Sequence, residues 1–300
     1  MATTTSDIHE HTLAGPAICA GVGVHSGRHV RLSIRPAAPG HGIVFVRTDV
    51  KDRDNRVPAT GDAVVKTQLG TVISNEAGVT VSTIEHLMSA LCALGVDNVL
   101  VELDGPEVPI MDGSALPFVQ LLDRAGFRRQ EKAQRYIEVL EPIEVTDGDK
   151  VARLLPCDRF EMFFEIEFAS AAIGRQSVDL VVDEATYRTE LMSARTFGFV
   201  EEVEALRAMG LARGGSLENA VVLDGDRILN EEGLRYPDEF VRHKALDAIG
   251  DLYVLGAPLL ARFEGVKAGH GLNNVLVRAL LARPDAWRVV TFEQELAAAG

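Results

Sequence analysis

Apolar residues follow two different periods along the chain, and together these periods predict an α+β protein. Runs in which apolar and polar residues alternate predict strands. In the first half, strands are expected at Ala17 to Val24, His29 to Ile34, Ile43 to Arg47, Gly70 to Ser74 and Asn98 to Leu103. Apolar residues at a helical spacing predict one helix after Ser82 and a second from about Ala115 to Ala125. Turns rich in Gly, Pro and Asp favour a mostly antiparallel sheet.

The second half repeats this order of elements. Strands are expected at Tyr136 to Val145, Lys150 to Leu155, Phe160 to Phe168, Gln176 to Val182 and about Leu259 to Val266. Helices are expected over residues 240–256 and from about Leu272 to Ala282. The charged segment from Arg128 to Arg135 marks the expected boundary. We therefore predict two similar α+β domains, residues 1–130 and 131–300, each a mostly antiparallel sheet with a helix pair, with the helices packed between the two sheets.

One predicted helix carries a regular series of polar residues. In FVRHKALDAIGD, the residues His243, Asp247 and Asp251 recur every four positions beside an apolar stripe. Side chains at i and i+4 lie on the same face of a helix, so His243 and Asp247 can bind one metal ion together. A catalytic zinc takes three protein ligands, so a further residue is needed. The alternative is a hydrogen-bonded His/Asp pair with a purely structural role.

A second polar cluster, Glu85 followed by His86, lies at the expected start of the helix after Ser82. Ser82 and Glu85 fit a capping box, in which the serine side chain caps the helix and the glutamate bonds back to it. Glu85 also fits a general base, because a helix N-terminus keeps a carboxylate ionised. Similar architecture in the two halves would bring His86 near His243.

Composition narrows the class of protein. With 47% hydrophobic and 25% charged residues, the chain is an ordinary globular protein. Its formal net charge of −14 argues against general nucleic-acid binding, which requires a basic surface. Three cysteines without C-x-x-C spacing favour a reducing cytoplasm. Without a secretion signal, an apolar run of about 18 residues or a heptad repeat, we expect no export, no membrane insertion and a monomer.

Longer blocks of sequence resemble a known family. The matching blocks follow one another over most of the chain: STIEHLMSAL, DNVLVELDGPEVPIMDGSALPF, SARTFGF, GGSLENAVV, LNEEGLRYPDEFVRHKALDAIGD and GHGLNN. They resemble those of the UDP-3-O-acyl-N-acetylglucosamine deacetylases, the zinc amidases of lipid A biosynthesis. The resemblance implies hydrolysis of the N-acetyl group of UDP-3-O-acyl-N-acetylglucosamine, with release of acetate and UDP-3-O-acyl-glucosamine, as the committed step of that pathway.

For the metal, the resemblance implies that His86, His243 and Asp247 bind Zn²⁺ and that Glu85 is the general base beside the bound water. The chemistry requires such groups in any case, because an amide is a poor electrophile with a poor leaving group. Zinc can lower the pKa of bound water to about 7 and polarise the carbonyl group. Glu85 can then take the proton of the water.

Three further residues are implied to act on the oxyanion and the leaving group. His270, oriented by Asp251, is implied to be a charged electrophile or general acid, and Thr196 to help hold the developing oxyanion. Without the resemblance, His270 is equally well explained as a loop residue that caps the following helix, and Thr196 as an N-cap. A single base and an acid–base pair both remain open as mechanisms.

Substrate contacts are implied at Lys150 and Lys244 for the anionic part and at Phe197 for the mouth of an acyl-chain passage. A nucleotide sugar needs local cations in so acidic a chain, and an acyl chain needs an apolar groove. The segment from about Ala169 to Gly215 can supply that groove. One departure from the family is Gly70, where some members carry a cysteine near the metal.

Two other functions are compatible with the residues taken alone. The first is a non-catalytic nucleotide-sugar or lipid-binding protein, in which the His/Asp series is structural and no metal binds. The second keeps zinc and amide hydrolysis but acts on another N-acetylated sugar. Metal content separates the first from the expected enzyme. The effect of removing the acyl chain from the substrate separates the second.

Overall fold

The computed structural model describes residues 8–292, and its first half consists of short strands around two helices. The strands are β1 (His9–Leu13), β2 (Ala17–Val22), β3 (His29–Pro36), β4 (Ile43–Arg47), β5 (Arg56–Pro58), β6 (Val64–Lys66), β7 (Val72–Ser74), β8 (Thr80–Val81), β9 (Val99–Leu103) and β10 (Phe127–Ala133). The helices are α1 (Glu85–Ala93) and α2 (Leu116–Ala125), and a 3₁₀ turn covers Gly61–Ala63. Every strand predicted for this half is present, with ends that differ by at most two residues.

The second half has a similar order of elements with an inserted unit. Its strands are β11 (Tyr136–Val139), β12 (Ile143–Asp147), β13 (Lys150–Pro156), β14 (Phe160–Glu167), β15 (Arg175–Val181), β16 (Phe197–Phe199), β17 (Val221–Asp224), β18 (Arg227–Ile228), β19 (Leu259–Val266) and β20 (Trp287–Val290). Its helices are α3 (Glu184–Thr186), α4 (Val200–Ala208), α5 (Glu239–Leu252) and α6 (His270–Leu281). A π-helical turn covers Tyr187–Leu191, and a 3₁₀ turn covers Tyr253–Leu255.

The sheets confirm the predicted α+β class. In the first half, the main sheet has the order β2-β3-β9-β4-β5, in which β4 and β9 run parallel and the other neighbours antiparallel. The strands β6, β7 and β8 form a small antiparallel sheet, and β1 pairs with β10. Along β3, the buried residues Val30, Leu32 and Ile34 alternate with more exposed ones, as expected for a sheet with one face in the core.

In the second half, the main sheet has the order β12-β13-β19-β11-β20. Strand β14 pairs in parallel with β19 and antiparallel with β15. The inserted unit, β16-β17-β18 with α4, forms a separate small sheet. Every strand pair among the described residues joins partners within residues 8–133 or within residues 136–290. The division into domains 1–130 and 131–300 stays a prediction.

One expectation about this sheet is wrong. The single strand predicted from Tyr136 to Val145 is two strands, β11 and β12, because Pro142 between them has no N–H to donate. The charged segment from Arg128 to Arg135 is mainly the strand β10, paired with β1, and most of its charged side chains are exposed. Strand β1 contains His9 and His11.

Helix α5 lies at the centre of the molecule. It packs against α1, against α6 and against the strands β14 and β15. The apolar stripe of the sequence, which includes Val241, Leu246 and Ile249, is fully buried. The polar series beside it is buried as well, because α1 covers that face. This packing brings the polar residues of α1 and α5 together in the buried interior of the protein.

Candidate active site

Helix α1 begins at Glu85, so the capping box predicted for Ser82 and Glu85 is wrong. Ile84 precedes the helix and makes no side-chain cap. Ser82 is instead held by its backbone: its N–H donates to the carbonyl of Pro106, and its carbonyl accepts the N–H of Val108. The Glu85 carboxylate therefore takes no part in the predicted capping box, and the residue is buried.

His86, His243 and Asp247 form a buried cluster between α1 and α5. The Nε2 atoms of His86 and His243 lie 3.4 Å and 3.3 Å from the same oxygen of Asp247, Oδ1. The two imidazole rings are perpendicular, with centroids 5.0 Å apart. Among residues 8–292, no hydrogen-bond partner is found for Asp247 Oδ1, although it is buried. A buried carboxylate oxygen that faces two imidazole nitrogens without a shared proton is typical of a metal site.

The protonation state of His243 suits a metal ligand. Its Nδ1–H donates to the carbonyl oxygen of Ala194 at 3.0 Å, which leaves the lone pair on Nε2, the atom that faces Asp247. Burial lowers the pKa of His243 to about 3, so the ring is neutral at physiological pH. A neutral imidazole is the form that binds metal ions.

Asp247 carries the negative charge of the cluster. Burial opposes this charge, but nearby positive charge, including that of Lys244, outweighs it and holds the pKa of Asp247 well below its usual range. Lys244 donates from Nζ to Oδ2 of Asp247 at 2.7 Å. Burial also opposes the charge of Lys244, and Asp247 raises its pKa in spite of this. Lys244 is thus an internal counterion of the cluster as well as a residue of the cavity wall.

Glu85 lies beside this cluster with one firm contact. Its Oε2 accepts the backbone N–H of Thr71 at 3.0 Å. Burial raises the pKa of the Glu85 carboxyl, and the nearby His270 and His86 oppose the rise. A helix N-terminus was expected to keep this carboxylate ionised, but burial affects the pKa of Glu85 more strongly and raises it. A carboxylate with a raised pKa is a better base.

His270 and Asp251 form a hydrogen-bonded pair on the other side of the cluster. His270 is the first residue of α6, and its Nδ1–H donates to Oδ2 of Asp251 at 2.9 Å. Burial opposes a charge on His270, but Asp251 outweighs it and raises the pKa of His270 to about 9. His270 is therefore charged at neutral pH, and its Nε2 lies 3.8 Å from Oδ2 of Asp247.

Two residues that hold Asp251 were not found from the sequence. The hydroxyl of Thr71 donates to Oδ1 of Asp251 at 2.6 Å, and the amide of Asn273 donates to Oδ2 at 2.9 Å. Asn273 follows His270 by three positions on one helix, and this spacing could have identified it. Thr71 lies in the strand predicted from Gly70 to Ser74, but nothing in that pattern distinguishes it from an ordinary strand residue.

A cavity of about 570 Å³ joins these groups to an apolar passage. Its polar end is lined by Glu85, His86, Thr196, His243, Lys244, Asp247 and His270. Its apolar walls include Ile110, Phe197, Val200, Val203, Leu206, Leu217, Val222 and Leu229. Most of these wall residues belong to the inserted unit over residues 197–229, whereas Ile173 and Leu191 of the segment expected to form the groove are buried in the core.

Phe197 lies where the two ends of the cavity meet. Its ring packs edge-on against Phe240 with centroids 4.9 Å apart, and its centroid lies 6.4 Å from that of His243. Thr196 is fixed through its backbone, since its N–H donates to the carbonyl of Gly113 at 2.8 Å. The structure therefore brings nine of the ten residues named in the sequence analysis to one place, either in the cavity wall or, for Asp251, directly behind it.

Lys150 is the residue that the structure does not bring there. It is the first residue of β13, its side chain is 51% exposed, and its Nζ lies 3.9 Å from Asp147. It is absent from the described residues that line the cavity. The substrate contact implied for Lys150 stays a prediction.

Three donor atoms converge in this buried site, two from imidazole rings and one from a carboxylate, and such a ligand set is typical of metal-dependent hydrolases. The comparison with known proteins makes this specific. Residues 10–282 match the family model of UDP-3-O-acyl N-acetylglycosamine deacetylase, and the chain belongs to this family. It is 70% identical over 290 residues to a protein of Phenylobacterium zucineum (strain HLK1) named UDP-3-O-acyl-N-acetylglucosamine deacetylase, covering 97% of this chain and 99% of that one. In the described part of the chain, no helix has the length and apolar character needed to cross a membrane.

Proposed function

We propose that this protein hydrolyses the N-acetyl group of UDP-3-O-acyl-N-acetylglucosamine, with release of acetate and UDP-3-O-acyl-glucosamine, and that it uses zinc to do so. The reaction is the committed step of lipid A biosynthesis. The observation that carries the proposal is Oδ1 of Asp247, which lies buried between the Nε2 atoms of His86 and His243 and has no hydrogen-bond partner among the residues that the structure describes. An acetamide held at this point has the metal ligands on one side and Glu85 and His270 around it.

The geometry of the cluster supports zinc among the candidate metals. Two nitrogen or oxygen ligands at about 2.0–2.1 Å from a tetrahedral zinc ion lie about 3.3–3.4 Å from each other. Asp247 Oδ1 lies 3.4 Å from Nε2 of His86 and 3.3 Å from Nε2 of His243. Two imidazoles and one carboxylate are also a ligand set that leaves a position open for water. When bound, zinc would polarise the acetamide carbonyl and acidify the attacking water.

Glu85 is the residue proposed to take the proton from the attacking water. Its carboxylate lies in the cavity wall next to His86, and its contact with the N–H of Thr71 fixes one oxygen and leaves the other free. Burial makes this carboxylate more basic than an exposed one. Glu85 is not needed as a metal ligand, because His86, His243 and Asp247 supply three donor atoms.

His270 and Thr196 are proposed to act on the other end of the acetamide. The oxyanion that forms when water adds to the carbonyl is stabilised by nearby positive charge and by donors held in place. His270 is charged because of Asp251, and the Thr196 hydroxyl belongs to the same cavity end. His270 can also give its Nε2 proton to the departing sugar nitrogen. Asp251 stabilises the charged ring before this transfer, and the ring is neutral until it takes up another proton.

The acylated sugar nucleotide fits the two characters of the cavity. The apolar walls around Phe197 suit the fatty acyl chain, and the polar end suits the acetamide. The anionic diphosphate needs local positive charge in a chain with a formal net charge of −14. Lys244, at the cavity wall, and Lys150, on the surface, are the proposed sources of that charge. The apolar part of the cavity would then recognise the acyl chain.

The cytoplasm is the proposed place of action, and a monomer is the proposed working unit. Cys19, Cys92 and Cys157 are all free thiols, which suits a reducing compartment. All residues of the proposed machinery come from one chain, so the site does not require a second copy.

The deciding experiment is metal analysis of the purified protein together with deacetylation assays before and after chelation and return of zinc. We expect one zinc per chain and an activity that disappears and returns with the metal. A metal-free protein that binds the substrate without hydrolysing it would establish the binding-protein alternative instead. A substrate without the acyl chain tests the second alternative, because unchanged activity on it would mean that another N-acetylated sugar is the natural substrate.

A further inference from the structure

Residues 194–196, here called the strap, cross the first turns of α5 and touch the site at both ends. At one end, the carbonyl oxygen of Ala194 accepts Nδ1–H of the metal-ligand residue His243 at 3.0 Å. At the other end, Thr196 lines the cavity and donates its N–H to Gly113. Arg195 lies between them and is only 3% exposed. The position of both ends therefore depends on how Arg195 is held.

Arg195 is held by an ion pair with Glu239, a residue with no exposed surface at the start of α5. The Glu239 Oε1 atom accepts both Nε–H and the backbone N–H of Arg195, each at 2.9 Å. The remaining guanidinium nitrogens donate to Glu232 and to the carbonyl of Gly233, each at 2.7 Å. Glu239 Oε2 also accepts the N–H of Arg235 at 2.7 Å. One carboxylate thus fixes the side chain and the main chain of Arg195 together.

Helix α5 carries both Glu239, which holds Arg195, and His243, the proposed metal ligand. Glu239 and His243 are four residues apart on α5, so they lie on one face. We infer that Arg195 and Glu239 are positioning residues that hold the strap, so that Ala194 orients the metal-binding ring of His243 and Thr196 keeps its place in the cavity. This inference rests on the proposed function. Apolar residues of equal volume could fill the space without loss of stability, but they could not bind the main-chain N–H of the strap.

The test compares metal binding in Arg195→Met and in the double variant Arg195→Met/Glu239→Leu with the wild-type protein. Affinity is measured by competition with a chelator, and ligand geometry by the visible absorption of the Co²⁺-loaded protein. Both variants should bind metal about 10- to 100-fold more weakly and show altered Co²⁺ bands, as is typical when the partner of a metal-binding histidine is disturbed. Arg47→Met is the control, because Arg47 is also buried and paired, with Asp49 at 2.8 Å, but lies on β4.

Wild-type affinity and wild-type Co²⁺ bands in a folded double variant would overturn the inference. Arg195→Met leaves the Glu239 charge buried without its partner and can fail to fold, and the double variant then decides. Arg195→Lys keeps the positive charge but lacks the planar set of donors. It should weaken metal binding less than Arg195→Met does. A wild-type protein that takes up no metal would refute the proposed function itself, so the two failures are distinguishable.

Discussion

Gly250 on α5 lies directly against the backbone of Glu85 at the start of α1: a Cβ atom on residue 250 would sit 2.0 Å from the Glu85 carbonyl oxygen. This close approach brings His86 on α1 near His243 and Asp247 on α5, the three proposed metal ligands. A glycine inside a helix normally costs about 1 kcal/mol relative to alanine. Here the absence of a side chain is a requirement of the helix crossing.

Gly250→Ala should therefore destabilise the protein by about 2–3 kcal/mol, because backbone atoms cannot move aside as a flexible side chain can. Gly271→Ala in α6 is the matched control, since its new Cβ would meet only the hydroxyl of Thr67 at 3.6 Å. That variant should be unchanged or up to about 1 kcal/mol more stable. The free energy of unfolding in urea checks both. Equal stabilities would mean that the α1–α5 contact is adaptable.

Glu85→Gln should retain the metal and lose about 10²- to 10⁴-fold in kcat, because the amide cannot accept the proton of water. The glutamine carbonyl can still accept the N–H of Thr71, so the local structure should persist. Metal content and turnover are measured on the same sample. Loss of metal in this variant would identify Glu85 as a ligand and remove it as the base.

The pH dependence of kcat/KM should be bell-shaped. The base must be ionised, and burial raises the pKa of Glu85 above 4.5, so the acid limb should lie above that value. The acid must be protonated, and the pKa of His270 is raised to about 9, so activity should fall as the pH rises through about 9. Asp251→Asn removes the carboxylate that raises this pKa, so the basic limb should move to lower pH. If the basic limb of the Asp251→Asn profile stayed at the same pH, that limb would belong to a group other than His270.

Gly70→Ala should reduce turnover without loss of metal. Gly70 has φ of 145°, and a Cβ there would lie 2.9 Å from Oε1 of Glu85, so the carboxylate would have to move from its place. Gly78→Ala is the control for a substitution at positive φ: its φ is 72°, and no atom lies within 4 Å of the new Cβ. Equal turnover in the two variants, normalised for folded protein, would show that the base tolerates the contact.

Much of the fold could be predicted because its core strands are strongly patterned. The strand Ile43–Arg47 and the strand Leu259–Val266 were predicted to the residue, since each alternates buried and less buried positions between clear turns. The strand β10 was missed because its residues are mostly charged and exposed. Its position depends on pairing with β1, a contact between distant segments that local pattern does not encode.

The site was predicted in two different ways. The i,i+4 spacing of His243 and Asp247 indicated a metal, and the structure brings His86 to them across the α1–α5 contact. The role of Ser82 as a cap was wrong, because tertiary hydrogen bonds to Pro106 and Val108 use its backbone. Arg195 gave no signal, because its importance lies in a buried partner far along the chain. Local spacing indicated candidate ligands, whereas the residues that hold them in place became visible only in the fold.

The division of the three donor atoms between α1 and α5 has a consequence for biosynthesis. A chain that has been synthesised only up to the start of α5 contains His86 but neither His243 nor Asp247. Two of the three proposed metal ligands are therefore absent until α5 has been made, and His270 follows only with α6. The proposed site is complete only after α1 and α5 have packed together, so metal binding by all three residues would follow the assembly of the two helices.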